Sequence, residues 1–216
     1  MMKKLITTAL ILISIPVFSQ NYTDSLSKPI PFEIGISVNQ LLAKNDNIEN
    51  RTGFGISLKR IWRADKKINI ISGIVFNQIH YLEKTIITDN STYYKNMDFR
   101  LYDFVLPFII RANFGNKYKL YVEAGPSVDF MPFLIGKGTE IYTTYTGNIR
   151  SSEISGEFGA QNLNLSLNAG IGFKFPVKKL NFFVASNYHL FIFDNILKDI
   201  KYTNALLSFS LGMYFN

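Results

Sequence analysis

The sequence predicts an all-β fold, an eight-stranded antiparallel up-and-down transmembrane β-barrel, and three observations predict it: strict two-residue periodicity, strand length and alternating connection length. From Leu163 to Phe175, Leu163, Leu165, Leu167, Ala169, Ile171, Phe173 and Phe175 share one face, while Asn162, Asn164, Ser166, Asn168, Gly170, Gly172 and Lys174 share the other. A side-chain period of two belongs to a strand; a helix would scatter both sets. The run is longer than the common strand of about 5–6 residues and fits the roughly 9–11 tilted residues that cross a bilayer in a barrel wall.

The chain opens with Lys3 and Lys4, an apolar stretch from Leu5 to Val17, and small residues before Gln20. This pattern predicts a signal peptide over residues 1–19, cleaved near Ser19/Gln20, because the apolar stretch is shorter than the about 20 residues of a spanning helix. An N-terminal segment over 20–31 and a barrel over 32–216 complete the expected organisation. The absence of cysteine excludes a disulfide framework, thiolate chemistry and lipoprotein-type attachment. Residues 1–19 carry two lysines and no acid of a chain with formal charge +7, so the remainder stays basic. Its basic residues gather in short turns and form no stripe along a recognition element, so nucleic acid is not an expected partner.

Eight segments follow the period-two template: Phe32–Gln40, Thr52–Trp62, Ile68–Tyr81, Phe99–Phe114, Lys119–Phe130, Asn162–Phe175, Leu180–Leu190 and Ala205–Phe215. Arg63–Lys67, Gly115–Tyr118 and Pro176–Lys179 are short connections, whereas Leu41–Arg51, Leu82–Asp98, Met131–Gln161 and Phe191–Asn204 are long. In an up-and-down barrel successive connections emerge at opposite ends, so this alternation gathers the tight turns at one end and the long loops at the other. That is the layout of outer-membrane barrels, with short periplasmic turns and long external loops.

Alternation alone does not say which face looks inward, and a soluble periplasmic lipid-binding barrel would bury the apolar one. The aromatic residues favour the membrane reading. Tyr102, Phe114, Phe130, Phe173, Phe175 and Phe215 stand toward the ends of the apolar faces, where interfacial girdles lie. The lumen then encloses Asp103, Arg111, Glu123 and Lys174 as a predicted ion-pair network. Eight strands enclose little more than the space for side chains, so a wide pore is not expected.

The segments Leu106-Pro107-Phe108, Glu123-Ala124-Gly125-Pro126-Ser127, Ala169-Gly170-Ile171-Gly172-Phe173 and Leu211-Gly212-Met213-Tyr214-Phe215 resemble the PorT-like, porin-family outer-membrane β-barrel proteins. The resemblance runs roughly from Phe32 to Phe215 and implies an architecture and an address, without a shared catalytic set. Pro107 cannot donate to a ladder, so a local bulge is expected there. The closing alternation of Phe209, Leu211, Met213 and Phe215 resembles a last strand read by barrel-insertion machinery, although Asn216 follows the aromatic.

Candidate chemistry is sparse. His80 and His189 lie near the ends of their strands, are expected as solvated rim residues, and have no acid at metal-ligand spacing beside them in sequence. Ser186 and His189 are three apart on one strand and point to opposite faces, a poor nucleophile and base. No catalytic, cofactor or metal site is therefore expected. Arg63, Lys66, Lys67, Lys117, Lys119, Lys178 and Lys179 stand at the tight turns, in reach of lipid headgroups or simply of water. In the longest connection, residues 131–161, the β-prone stretch Thr139–Thr146 either lengthens the wall or offers a surface to an extracellular partner. The expected role is that of a non-enzymatic outer-membrane barrel with structural, adhesive or accessory duty; a narrow porin-like channel is the alternative.

Overall fold

The computed structural model describes residues 31–42, 47–62, 67–87, 92–144, 146–157, 162–192 and 205–215. The expected signal peptide, residues 20–30, Arg63, Lys66 and most of the last long connection lie outside them. The described residues form nine strands and no helix: β1 (Phe32–Leu42), β2 (Ile48–Trp62), β3 (Ile68–Ile87), β4 (Thr92–Phe114), β5 (Lys119–Thr143), β6 (Ile149–Glu157), β7 (Asn162–Val177), β8 (Leu180–Phe191) and β9 (Ala205–Phe215). All pairings are antiparallel. The ring runs β1-β2-β3-β4-β5-β7-β8-β9 and closes through β1 and β9, so eight strands make the barrel, and among the described residues β6 pairs only with the upper part of β5. Closure removes every edge from the ring. Phe32 stacks on Phe215 at 4.6 Å between ring centroids, joining the first and last strands at the tight-turn end.

The apolar face looks outward. Ile36, Leu58, Phe108, Val122, Leu165 and Leu211 are all exposed, whereas Arg111 is 1% exposed and Glu123 is 5% exposed. This distribution excludes the soluble barrel with an oily interior, which would invert both sets. Outward aromatics gather at two levels: Tyr118, Phe173, Phe175 and Phe182 stack in a row near the tight turns. Phe54, Phe76, Tyr102 and Phe104 form a second group farther up the wall. Near the tight turns the Arg60 guanidinium lies 3.6 Å over the Trp62 ring, and Trp62 donates its indole N–H to Ser72 Oγ at 2.8 Å. An amphipathic ring with a cation stacked on it suits a headgroup boundary.

Two expectations need correction. Pro107 carries no bulge: Leu106↔Val128 and Pro107↔Ser127 keep the register of Ile110↔Ala124, and the irregularities fall instead between Tyr102 and Phe104 and between Lys95 and Asp98. On its other side Ser72↔Phe108 and Val75↔Val105 bracket the proline evenly, which places Gly73 opposite it, where no side chain crowds the pyrrolidine ring. The connections expected as long loops are also mostly paired strand. Residues 82–87 and 92–98 extend β3 and β4, and 135–143 pair with 149–157 as the β5–β6 hairpin, the wall-lengthening course of the two expected for that stretch. Outside a bilayer neither face of a hairpin must be oily, so the pairing continues after the apolar signal has stopped. The result is an uneven rim: β3, β4 and β5 run 20, 23 and 25 residues while β1 and β9 run 11.

Candidate functional site

The inward face of each strand fills the lumen, and parity assigns its occupants: Glu33 and Asn39 from β1, Lys59 from β2, Asn77 from β3, Asp103 and Arg111 from β4, Glu123 and Asp129 from β5, Lys174 from β7 and His189 from β8. With the apolar residues above them they make three layers along the barrel axis.

The layer nearest the tight turns is a charged cluster. Arg111 donates from Nε to Glu123 Oε2 at 2.7 Å and from its terminal nitrogens to both carboxylate oxygens of Glu33, the Oε2 contact measuring 3.0 Å. Lys174 Nζ lies 2.7 Å from Glu33 Oε1, and Lys59 Nζ lies 4.0 Å from Glu123 Oε1. The guanidinium rests 4.1 Å over the Tyr121 ring, and Lys174 Nζ stands 4.7 Å over Tyr214. Planar, five-donor Arg111 can bind two carboxylates at once, which a lysine at that point cannot. Gly172 opposite Tyr121 leaves room for the phenol, since a Cβ there would come within 2.3 Å of Tyr121 Oη.

The structure therefore brings together Arg111, Glu123 and Lys174 of the four residues expected to form one network, and places the fourth elsewhere. Asp103 is eight residues from Arg111 along β4, which at about 3.3 Å per residue is roughly 26 Å up the wall. The distance along a strand is invisible in a reading that records only which face a residue occupies. Glu33, which binds both cations, was missed. Its signal was the alternation of Glu33, Gly35, Ser37 and Asn39 with Ile34, Ile36 and Val38.

The middle layer holds Asp103, Asp129 and His189, all buried, with one ligand atom of each within 4.8 Å of the others. His189 is a lumen residue, in contrast to the solvated rim position expected of it. Its Nδ1 meets Asn168 Oδ1 at 2.6 Å and its Nε2 lies 3.2 Å from Asp129 Oδ1. The acids come from β4 and β5, distant in sequence, and only ring closure sets them beside β8. His80 behaves differently: it faces outward near the long-loop end, its Nε2 2.7 Å from Asp98 Oδ1, with Arg51 NH1 2.8 Å from Asp98 Oδ2. Ser186 pairs with outward Phe209 while His189 points inward, so the two do not meet.

The third layer, toward the long loops, is an apolar plug. Leu41, Ile48, Ile79, Tyr81, Met97, Phe99, Leu101, Met131, Leu134, Phe191 and Leu206 pack together, with Ile86, Tyr94 and Ile154 of the extended hairpins against them.

A closed antiparallel ring with lipid-facing hydrocarbon and an enclosed polar interior defines a small transmembrane β-barrel. Residues 18–197 match the family model described as outer membrane protein beta-barrel domain, and the chain belongs to that family. Its place is the outer membrane. Solved structures similar in fold include Neisserial surface protein A (11% identity, TM-score 0.48, covering 86% of this chain and 95% of that one). Ail, the attachment invasion locus protein of Yersinia pestis, in complex with the heparin analogue sucrose octasulfate, is 13% identical at TM-score 0.41, covering 86% and 99%. The N-terminal β-barrel domain of Pseudomonas aeruginosa OprF is 14% identical at TM-score 0.39, covering 85% and 97%. Among curated proteins no sequence match is found.

Proposed function

We propose that the protein is a non-enzymatic, non-conducting scaffold of the outer membrane, with a structural, adhesive or accessory role carried by the tall hairpins of β3–β6. The observation behind this reading is the double closure of the lumen. A charged layer tied by Arg111 stands below and an apolar plug around Met97, Met131 and Leu134 stands above, each buried to 1% exposure or less at those residues. A conducting pore needs a continuous water path, and these two layers interrupt it with opposite chemistries.

In this reading the tight turns face the periplasm, and the long hairpins stand outside the cell. Exposed Tyr93, Lys95, Ile149 and Arg150 would meet a partner there. Outer-membrane lipid surrounds the wall, and the insertion machinery reads the last strand, β9.

Single-channel recording of the refolded protein in planar bilayers tests the closure. The scaffold reading expects no steps above the lipid baseline at neutral pH. Regular ohmic steps from a folded, heat-modifiable barrel would replace it with the narrow-channel reading. The display half is tested by removing residues 139–153 and measuring attachment of whole cells to protein-coated and polysaccharide-coated surfaces. An inserted variant that attaches as well as the parent would remove the hairpin from the role.

A further inference from the structure

The middle layer of the lumen has a feature that neither closure nor display requires. Asp103 and Asp129 are each 0% exposed, and among the described residues no donor meets any of their four carboxylate oxygens in good hydrogen-bond geometry, the Asn77 side chain standing beside Asp103. Two buried carboxylates so thinly supplied with donors are costly, since an uncompensated charge in a protein interior costs several kcal/mol. His189 stands beside them with its Nε2 also outside hydrogen-bond geometry, 3.2 Å from Asp129 Oδ1.

The orientation of that ring is set from behind. Asn168 donates from Nδ2 to Ser127 Oγ at 2.7 Å, and Ser127 Oγ is hydrogen-bonded to Ser166 Oγ. This turns the Asn168 carbonyl oxygen toward His189 Nδ1 at 2.6 Å, where it accepts the Nδ1 proton. So held, the ring aims its Nε2 at the two carboxylates, and a cation between them would gather all three groups. An amide oxygen fixing the far nitrogen is also how metal-binding histidines are commonly oriented.

We infer that Asp103, Asp129 and His189 form a buried site for one divalent first-row transition cation, with the Ser166–Ser127–Asn168 chain orienting its histidine. Two carboxylates and one imidazole balance a double positive charge and suit an intermediate ion of the zinc or manganese kind. Ligand atoms about 2.1 Å from a tetrahedral ion lie about 3.4 Å apart, and the three ligand atoms here already stand within 4.8 Å of one another. A cavity of about 50 Å³ opens on His189, Asn77 and Asn168 and gives room for a water on the ion. The ion would tie β4, β5 and β8 across the lumen, a structural clasp between the charged layer and the plug.

The test uses the full barrel refolded in detergent after chelation, incubated separately with zinc, manganese or calcium chloride, desalted, and assayed for metal per chain. The expected result is one zinc or manganese per chain with a raised thermal midpoint. Retention should fall by about tenfold or more in His189→Gln and in the double variant Asp103→Asn, Asp129→Asn. The asparagines remove buried charge at constant shape, and gel mobility of unheated samples reports whether each variant is folded. Should the double variant not fold, His189→Gln alone carries the comparison. Three outcomes overturn the inference: a folded parent that retains under a tenth of an ion with zinc and with manganese, retention unchanged by the variants, and calcium binding indifferent to His189→Gln.

Discussion

Arg111 of β4 and Glu33 of β1 meet across the lumen, with NH2 3.0 Å from Oε2, although two strands separate them around the ring. The contact is a strut between nearly opposite walls, and Glu123 of the adjacent strand accepts from the same guanidinium.

Removing Arg111 while leaving its partners should therefore cost more than any surface change. Arg111→Ala leaves Glu33 and Glu123 buried with one compensating lysine each, at 2.7 and 4.0 Å. Breaking a buried pair from one side costs about 3–5 kcal/mol. Urea unfolding of the barrel in lipid vesicles, followed by the fluorescence of the single tryptophan, Trp62, should show a loss of that size. A change below about 1 kcal/mol, the scale of exposed pairs, would mean that water reaches the cluster.

The outward face gives a prediction that differs between two heights. Leu167 is 49% exposed on β7 between the aromatic levels, and Ile149 is 76% exposed on β6, which pairs with the upper part of β5. Arginine near the midplane of a barrel costs about 2–4 kcal/mol and close to nothing outside the bilayer. Leu167→Arg should lower folding stability in vesicles by that amount, whereas Ile149→Arg should leave it unchanged. Equal effects at both positions would displace the membrane from the belt.

The contrast between those two positions also explains what the sequence carried and what it did not. Within the bilayer, solvent differs on the two faces of a strand, so Leu163 to Phe175 write their structure in alternation, and all eight ring strands and their facing are legible. Above the bilayer the asymmetry ends, and the continuation of β4 through Thr92–Asp98 and the pairing of Gly138 with Ile154 leave no periodic trace. The lumen was legible by parity but not by height: Asp103 and Arg111 share a face and occupy different layers. His189 looked like a rim residue because its partners, Asp129 and Asn168, come from β5 and β7 and meet it only through the register of the ring.

Gly172 tests how tightly the charged layer is packed. Its missing side chain is the space occupied by the Tyr121 ring, whose Cζ a Cβ would approach to 2.2 Å. Gly172→Val must push the phenol away from Arg111, and overpacking of this kind costs about 1–3 kcal/mol. The companion Gly172→Val, Tyr121→Ala should recover part of that loss, because the clash has gone. If the single variant is as stable in urea as the parent, the ring is free to leave and the layer is looser than its distances imply.

Two glycine turns at opposite ends of the barrel allow its orientation in the membrane to be read. Gly115 has φ +93° in the connection between β4 and β5, and Gly147 has φ +77° in the connection between β5 and β6. Both conformations favour glycine, and both turns lie outside the ring's ladder, so a short epitope inserted after either one leaves the wall pairing intact. The tight-turn end also carries Lys117, Lys178 and Lys179, while the other end carries hairpins that nothing inside a bilayer would require. With short turns in the periplasm, an epitope after Gly147 should bind antibody on intact cells. One after Gly115 should bind only once the outer membrane is permeabilised. Staining in the reverse order would invert the barrel and place the β5–β6 hairpin inside the envelope, where it could not meet an external partner.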